Sequence, residues 1–215
     1  MTDKPPAPWA KPRRRQKEFG AKRQAILETA ARLFNENGYE TTSLSQLAKA
    51  LNITKPTLYH YFESKDQILM EIQGSGQAQI EAALHATNEQ GGKGLDKLEA
   101  FISRYTQENC SPFGRLVIKV GRGGLAPESQ AKIDEKARYA DSLLRDIITE
   151  GIADGSIAPV DVKMATFLVF GACNWVAYWY QNGGTLSAEQ VAEEFIRILR
   201  HGFEPADATD HKVAS

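Results

Sequence analysis

The 215-residue chain has few of the residues that build disulfide scaffolds or metal centres. It has two cysteines, Cys110 and Cys173, which cannot make a disulfide framework, so a reducing cytoplasm is the simplest expected setting. Its four histidines, His60, His85, His201 and His211, are too scattered for a metal motif, and no metal or cofactor is expected. A nucleophile elbow, a catalytic carboxylate pair and a zinc signature are all missing. The segment Gly121-Arg122-Gly123-Gly124 lacks the Lys-Ser/Thr of a phosphate-binding loop. These absences argue against an enzyme. The first thirty residues contain no apolar run, so no secretory leader is expected. The longest apolar stretch, residues 164–180, includes Thr166 and Asn174 and is seventeen residues long. A membrane span needs about 20, so no membrane partner is expected.

Charge is present in quantity but is unevenly placed. Residues 1–23 carry eight positive and two negative side chains, whereas residues 67–215 carry 14 positive and 20 negative ones. A basic head on an acidic body suggests that one end meets a polyanion. A basic, solubilising tail is the plain alternative. The segment up to Lys17 is rich in proline and basic residues and is expected to be disordered when free.

From Lys22 onward the pattern is helical. Ile26, Ala30, Leu33 and Phe34 recur on one helix face, and Gly38 is placed to end that helix in a left-handed conformation. Ser43-Leu44-Ser45-Gln46 fits a capping box, with Leu47, Ala48 and Leu51 behind it. Asn52 tolerates the left-handed backbone that ends such a helix. Thr54 can cap the next one, with Pro56 in its first turn and Leu58 and Phe62 pointing inward. Ser64-Lys65-Asp66-Gln67 is a second capping box and Ser187-Ala188-Glu189-Gln190 a third. The pair of helices around Asn52-Ile53-Thr54 has the size of a helix-turn-helix, whose second helix can lie in the DNA major groove. A short three-helix packing unit is the other reading of that spacing.

The motif text is more specific than the spacing. The run Asn37-Gly38-Tyr39, then Thr42-Ser43-Leu44-Ser45-Gln46-Leu47-Ala48, then residues 51–65 (LNITKPTLYHYFESK) resembles the DNA-binding domain of the TetR family of transcriptional regulators. Asn52 stands where that family usually has glycine, and both tolerate left-handed backbone. The resemblance implies an all-α homodimer that binds a palindromic operator and releases it when a small molecule enters a larger domain. It divides the chain into a basic flexible arm (1–20), a helix-turn-helix domain (21–66), a ligand-binding and dimerisation domain (67–203) and a flexible tail (204–215). Further on, Asn174-Trp175, Tyr178-Trp179-Tyr180, Gly183-Gly184 and Leu186-Ser187 are similar to family members that regulate fatty-acid or sterol catabolism and respond to acyl-CoA thioesters.

Residue chemistry then nominates sites. Lys55 can donate to guanine and Thr57 can touch a thymine methyl. Pro56, Tyr59 and His60 position the helix, and Ser43 and Lys65 begin helices whose free amides attract phosphate. Arg13, Arg14 and Arg15 are candidates for a minor groove. For the effector, Phe101, Tyr105, Leu116, Asn174, Trp175 and Tyr178 are candidate lining residues, and Arg122, with Arg115 and Lys119, can offer cations to a phosphate. Each aromatic is otherwise simply core, and each cation a solvated surface group. Phe167, Phe170, Val191, Phe195 and Ile198 are candidate dimer contacts, because the family implies a four-helix interface built from the apolar helix and the last one. A sensor of cationic drugs competes with an acyl-CoA sensor, and an enzyme with an apolar cavity is a more distant alternative.

Overall fold

The computed structural model describes residues 12–120 and 126–202, and every regular element among them is an α-helix. In order these are α1 (Pro12–Asn37), α2 (Leu44–Ala50), α3 (Lys55–Tyr59), α4 (Lys65–Glu89), α5 (Gly94–Cys110), α6 (Pro112–Val120), α7 (Pro127–Ala153), α8 (Val162–Trp179) and α9 (Ala188–His201). The chain divides into two compact units between Leu69 and Met70, inside α4, three residues beyond the boundary expected after position 66.

In the first unit the local rules are visible atom by atom. The Ser43 hydroxyl accepts the Gln46 amide, and the Gln46 side chain returns to the Ser43 amide, closing the capping box that starts α2. Asn52 takes φ 53° and Gly38 φ 90°, the two left-handed turns that let α2 and α3 fold back. Thr54 caps α3, and Pro56 sits in its first turn, where no amide bond is lost. Leu58, Phe62, Leu47, Ile26, Ala30, Phe34, Ile68 and Leu69 are buried together within this unit. The start of α4 is tied to the turn after α1: the Tyr39 hydroxyl donates to Asp66, and Lys65 Nζ donates to the carbonyls of Tyr39 and Glu40 at 2.8 and 3.2 Å.

One boundary differs from expectation. Residues 12–20, read from the sequence as flexible arm, form the first turns of α1. Apart from Pro12 and Gly20, this stretch is built from basic, acidic, amide and aromatic residues that a helix accepts, and tertiary contacts hold it: Phe19 stacks on Tyr61 at 4.8 Å. The rest of the arm and residues 203–215 lie outside the described residues.

In the second unit α5 is central and packs against α6, α7, α8 and α9. Asp96 of its own first turn accepts from the Lys93 amide, and the next two amides are capped from outside the helix. Asp154 accepts from the Gly94 amide at 2.8 Å and Ser156 from the Leu95 amide at 3.0 Å, so the turn after α7 caps α5. That arrangement requires the backbones to touch. A Cβ at Gly94 would lie 2.2 Å from the Gly151 Cα. Phe101, Ile102, Leu144, Ile147, Ile148, Val169 and Cys173 form the core behind this crossing. Gly94→Ala should therefore force α5 and α7 apart and cost about 1–3 kcal/mol, read as a lower urea midpoint of the full-length protein.

Candidate nucleic-acid interface and effector site

With Leu58 and Phe62 fully buried, α3 presents Lys55, Pro56, Thr57, Tyr59 and His60 outward, and all five are exposed. The Thr54 and Thr57 hydroxyls share a hydrogen bond of 2.8 Å, which sets the Thr57 side chain. Lys55 Nζ lies 5.8 Å over the Tyr59 ring. Between α2 and α3 is an open depression of about 710 Å³ lined by Ser45, Ala48, Lys49, Asn52, Ile53, Thr54, Lys55 and Thr57. It holds two cations and no acid. Lys49 was not singled out from the sequence. Its position one turn before Asn52 was the available signal.

The other candidates are placed differently from one another. Ser43 is exposed, but its hydroxyl and amide are both engaged with Gln46. Lys65 is half-buried and lies 4.6 Å over the Tyr39 ring while bonding two carbonyls, so it braces the turn after α1. Arg13, Arg14 and Arg15 lie on the first turns of α1, and their side chains are outside the described set.

In the second unit the structure brings Phe101, Tyr105 and Asn174 together. Phe101 and Tyr105 stack at 5.3 Å, and both meet the edge of Phe170, at 6.0 and 5.5 Å. The Tyr105 hydroxyl donates to Asn174 Oδ1 at 2.8 Å. Asn109 Nδ2 donates to the Cys173 carbonyl at 3.2 Å and to Asn174 Oδ1 at 3.4 Å, and the Thr106 hydroxyl donates to Cys173 Sγ at 3.3 Å. Burial pushes the Tyr105 phenol above its ordinary range, so it remains a donor. Asn109 and Thr106 were missed from the sequence. Both sit on the Phe101–Tyr105 helix at 3–8 residue spacing, which marks its inward face. Leu116 is buried on α6, and Arg115 donates from Nε to the Ala177 carbonyl. Arg122 lies outside the described residues.

Four of the candidates have surroundings in the single chain that differ from those of a pocket wall or a dimer face. Trp175 and Tyr178, expected in the pocket, are 63% and 53% exposed and stack on each other on the outer face of α8. Of the candidate dimer contacts, Phe170 is half-buried and lies against Phe101, and Val191 is buried with Cys110, Val176 and Tyr180. Phe195 packs beside both core clusters, and Ile198 is half-buried. The apolar helix has an inner face of Thr166, Val169, Cys173, Val176 and Ala177 and an outer face of Met164, Phe167, Leu168, Trp175, Tyr178 and Trp179. Among the described residues, no helix is long and apolar enough to cross a membrane, and no group of three metal-ligating side chains is assembled.

Residues 26–72 match the family described as "Bacterial regulatory proteins, tetR family", and residues 91–203 match "Tetracyclin repressor-like, C-terminal domain". The chain belongs to the TetR family of transcriptional regulators. It is 27% identical over 204 residues to the HTH-type transcriptional repressor KstR2 of Mycolicibacterium smegmatis, covering 89% of this chain and 95% of that one. The TetR family regulator PfmR of Thermus thermophilus has the same fold, with a TM-score of 0.74 and 32% identity over 84% of this chain and 99% of that one. AibR, solved in complex with isovaleryl coenzyme A and operator DNA, gives a TM-score of 0.70 and 28% identity over 82% of this chain and 97% of that one. This TetR protein is thus a transcriptional regulator rather than an enzyme, of a family that binds operator DNA and dimerises.

Its two thiols give a pH prediction. Burial pushes both Cys110 and Cys173 up to about 11. In the unfolded chain a thiol titrates near about 8.5. Folding therefore resists their ionisation, and their contribution to stability is complete below that value and is lost as pH rises from there toward about 11. Urea stability should fall across this window, and fall less in the Cys110→Ala, Cys173→Ala double variant.

Proposed function

We propose that this TetR-family protein is a homodimeric cytoplasmic repressor that holds a palindromic operator through α2 and α3 and releases it when an acyl-CoA enters the second unit. The likeness to AibR, solved with isovaleryl coenzyme A and operator DNA, carries this reading. The chemistry of the second unit supports it. Phe101, Tyr105 and Phe170 offer an apolar, aromatic wall, and beside it Asn109, Asn174 and the Tyr105 hydroxyl form a hydrogen-bonded polar group that a ligand carbonyl would enter by exchange of partners. Arg115, Lys119 and Arg122 are the candidate phosphate partners. A sensor of cationic drugs needs buried acids. The fully buried polar side chains among the described residues are Thr42, Thr106, Asn109 and Thr166, while the acid Glu108 on α5 is half-buried and its carboxyl is pushed up by burial, with Arg104 opposing that shift.

On the DNA side, Lys55 and Thr57 read base edges, while Tyr59, His60, Ser43 and the first turn around Pro56 meet phosphates. Lys65 already gives two hydrogens to carbonyls and has a third for a phosphate. Arg13, Arg14 and Arg15 add sequence-independent charge. The dimer contact is the outer face of α8, with Phe167, Leu168, Trp175 and Tyr178 covered by the partner, and with Ile198 and the outer edge of Phe195 beside it.

Operator release, operator binding by variants, and light scattering test this. A labelled operator should be released by an acyl-CoA series with a potency that depends on chain length, and not by free coenzyme A. Two buried methylenes are worth about 1.6 kcal/mol, and tenfold release needs about 1.4 kcal/mol. A flat series with release by a planar cation would favour the drug sensor instead. Tyr105→Phe should blunt the response while leaving ligand-free operator binding unchanged, whereas Lys55→Ala and Tyr59→Ala should weaken operator binding about tenfold at unchanged melting temperature. Leu168→Asp should shift the protein toward monomer in light scattering and weaken operator binding with it.

A further inference from the structure

We infer that Phe19 and Arg23 convert the basic N-terminal segment into a rigid helical strut, fixed to the end of the recognition helix, that sets Arg13, Arg14 and Arg15 on duplex DNA flanking the operator half-site. This rests on the assignment of α3 and the arginines to DNA made above, and adds how the arginines are held.

Phe19 and Arg23 lie one turn apart on α1 and grip the same short stretch of chain. The Phe19 ring stacks on Tyr61 at 4.8 Å and meets the edge of His60 at 5.9 Å. Arg23 Nη1 donates to the Tyr61 carbonyl at 2.9 Å, and its guanidinium lies 4.3 Å over the Phe62 ring. His60 is the C-cap of α3, and Phe62 is part of the buried anchor of that helix. Two contacts one turn apart fix both the direction and the rotation of α1 against α3. Everything N-terminal of Phe19 then follows as helix. At 1.5 Å per residue, Arg15 to Arg13 stand about 6–9 Å along the axis beyond the clasp.

The occupant follows from charge and continuity. Residues 12–22 carry Arg13, Arg14, Arg15, Lys17 and Lys22 against Glu18 alone. A strut so charged, joined directly to the exposed end of α3, continues the DNA-facing surface outward along the duplex. Holding the segment in helix before binding also lowers the ordering cost that a free arm would meet on DNA. Phe19, 38% exposed, takes its ring contacts from Tyr61 and His60 as this clasp forms.

The test uses the full-length protein and operator duplexes with long or trimmed flanks, titrated over a range of salt. Replacing all three arginines (Arg13→Ala, Arg14→Ala, Arg15→Ala) should flatten the slope of log affinity against log salt by about 2–3. Phe19→Ala should reproduce at least about one unit of that flattening and lose the preference for long flanks, while Phe19→Tyr, which keeps the stack, should behave as the parent. Phe19→Leu, which keeps apolar cover without the ring, serves if the alanine variant fails to fold, and should show the same flattening. A Phe19 variant with weaker binding but the parent slope and flank preference would overturn the strut and leave Phe19 as core. If the triple arginine variant itself keeps the parent slope, the assignment of the arginines to DNA fails as well, and the strut with it.

Discussion

Helix α3 has five residues, too few to be stable as a helix by itself. It exists because Leu58 and Phe62 are sunk into the first unit, with Thr54 capping one end and His60 closing the other. That burial is the constraint on which the DNA-facing chemistry depends. Once Leu58 and Phe62 point in, Lys55, Thr57 and Tyr59 have no choice but to point out. The remaining contacts of the unit act on the same small element from several sides: Asn52 turns the chain into it, and Arg23 and Phe19 hold the residues that follow it. A short helix held at both ends and from beneath is a rigid tool, and rigidity is what a reader of base edges needs.

What the sequence disclosed was whatever depends on near neighbours. The capping boxes at Ser43 and Ser187, the Thr54 cap and the left-handed Asn52 are all decided within four residues, and all appear as read. Features decided by distant residues were less legible. The ring contact of Phe19 in this first part of α1 is with Tyr61, about forty positions away, and no rule of local composition reports it. Residues 164–180 are apolar except for Thr166 and Asn174, so periodicity carries little sign of which face turns inward. Trp175 is exposed on the single chain and Phe170 lies against Phe101, a difference that periodicity within one helix does not report. The aromatic and amide group in the second unit was half legible, since Phe101, Tyr105 and Asn174 stand out by type, while Asn109 and Thr106 looked like ordinary polar residues of a helix surface.

Tyr39, Lys65 and Asp66 tie the first turn of α4 to the turn after α1. Burial, with Asp66 beside it, keeps the Tyr39 phenol protonated well above its ordinary range, so the phenol goes on donating to Asp66. The start of α4 is thereby held against the turn that leads into α2. Half-sites read by dimers lie about 34–36 Å apart along the duplex, one helical turn. A single inserted base pair moves one half-site about 3.4 Å and rotates it about a tenth of a turn. On the proposed homodimeric reading, a pair of these first units meets that offset by separation and angle, so the number of base pairs between half-sites becomes a ruler. Two operators with identical half-sites and different spacers are, to this protein, different sequences.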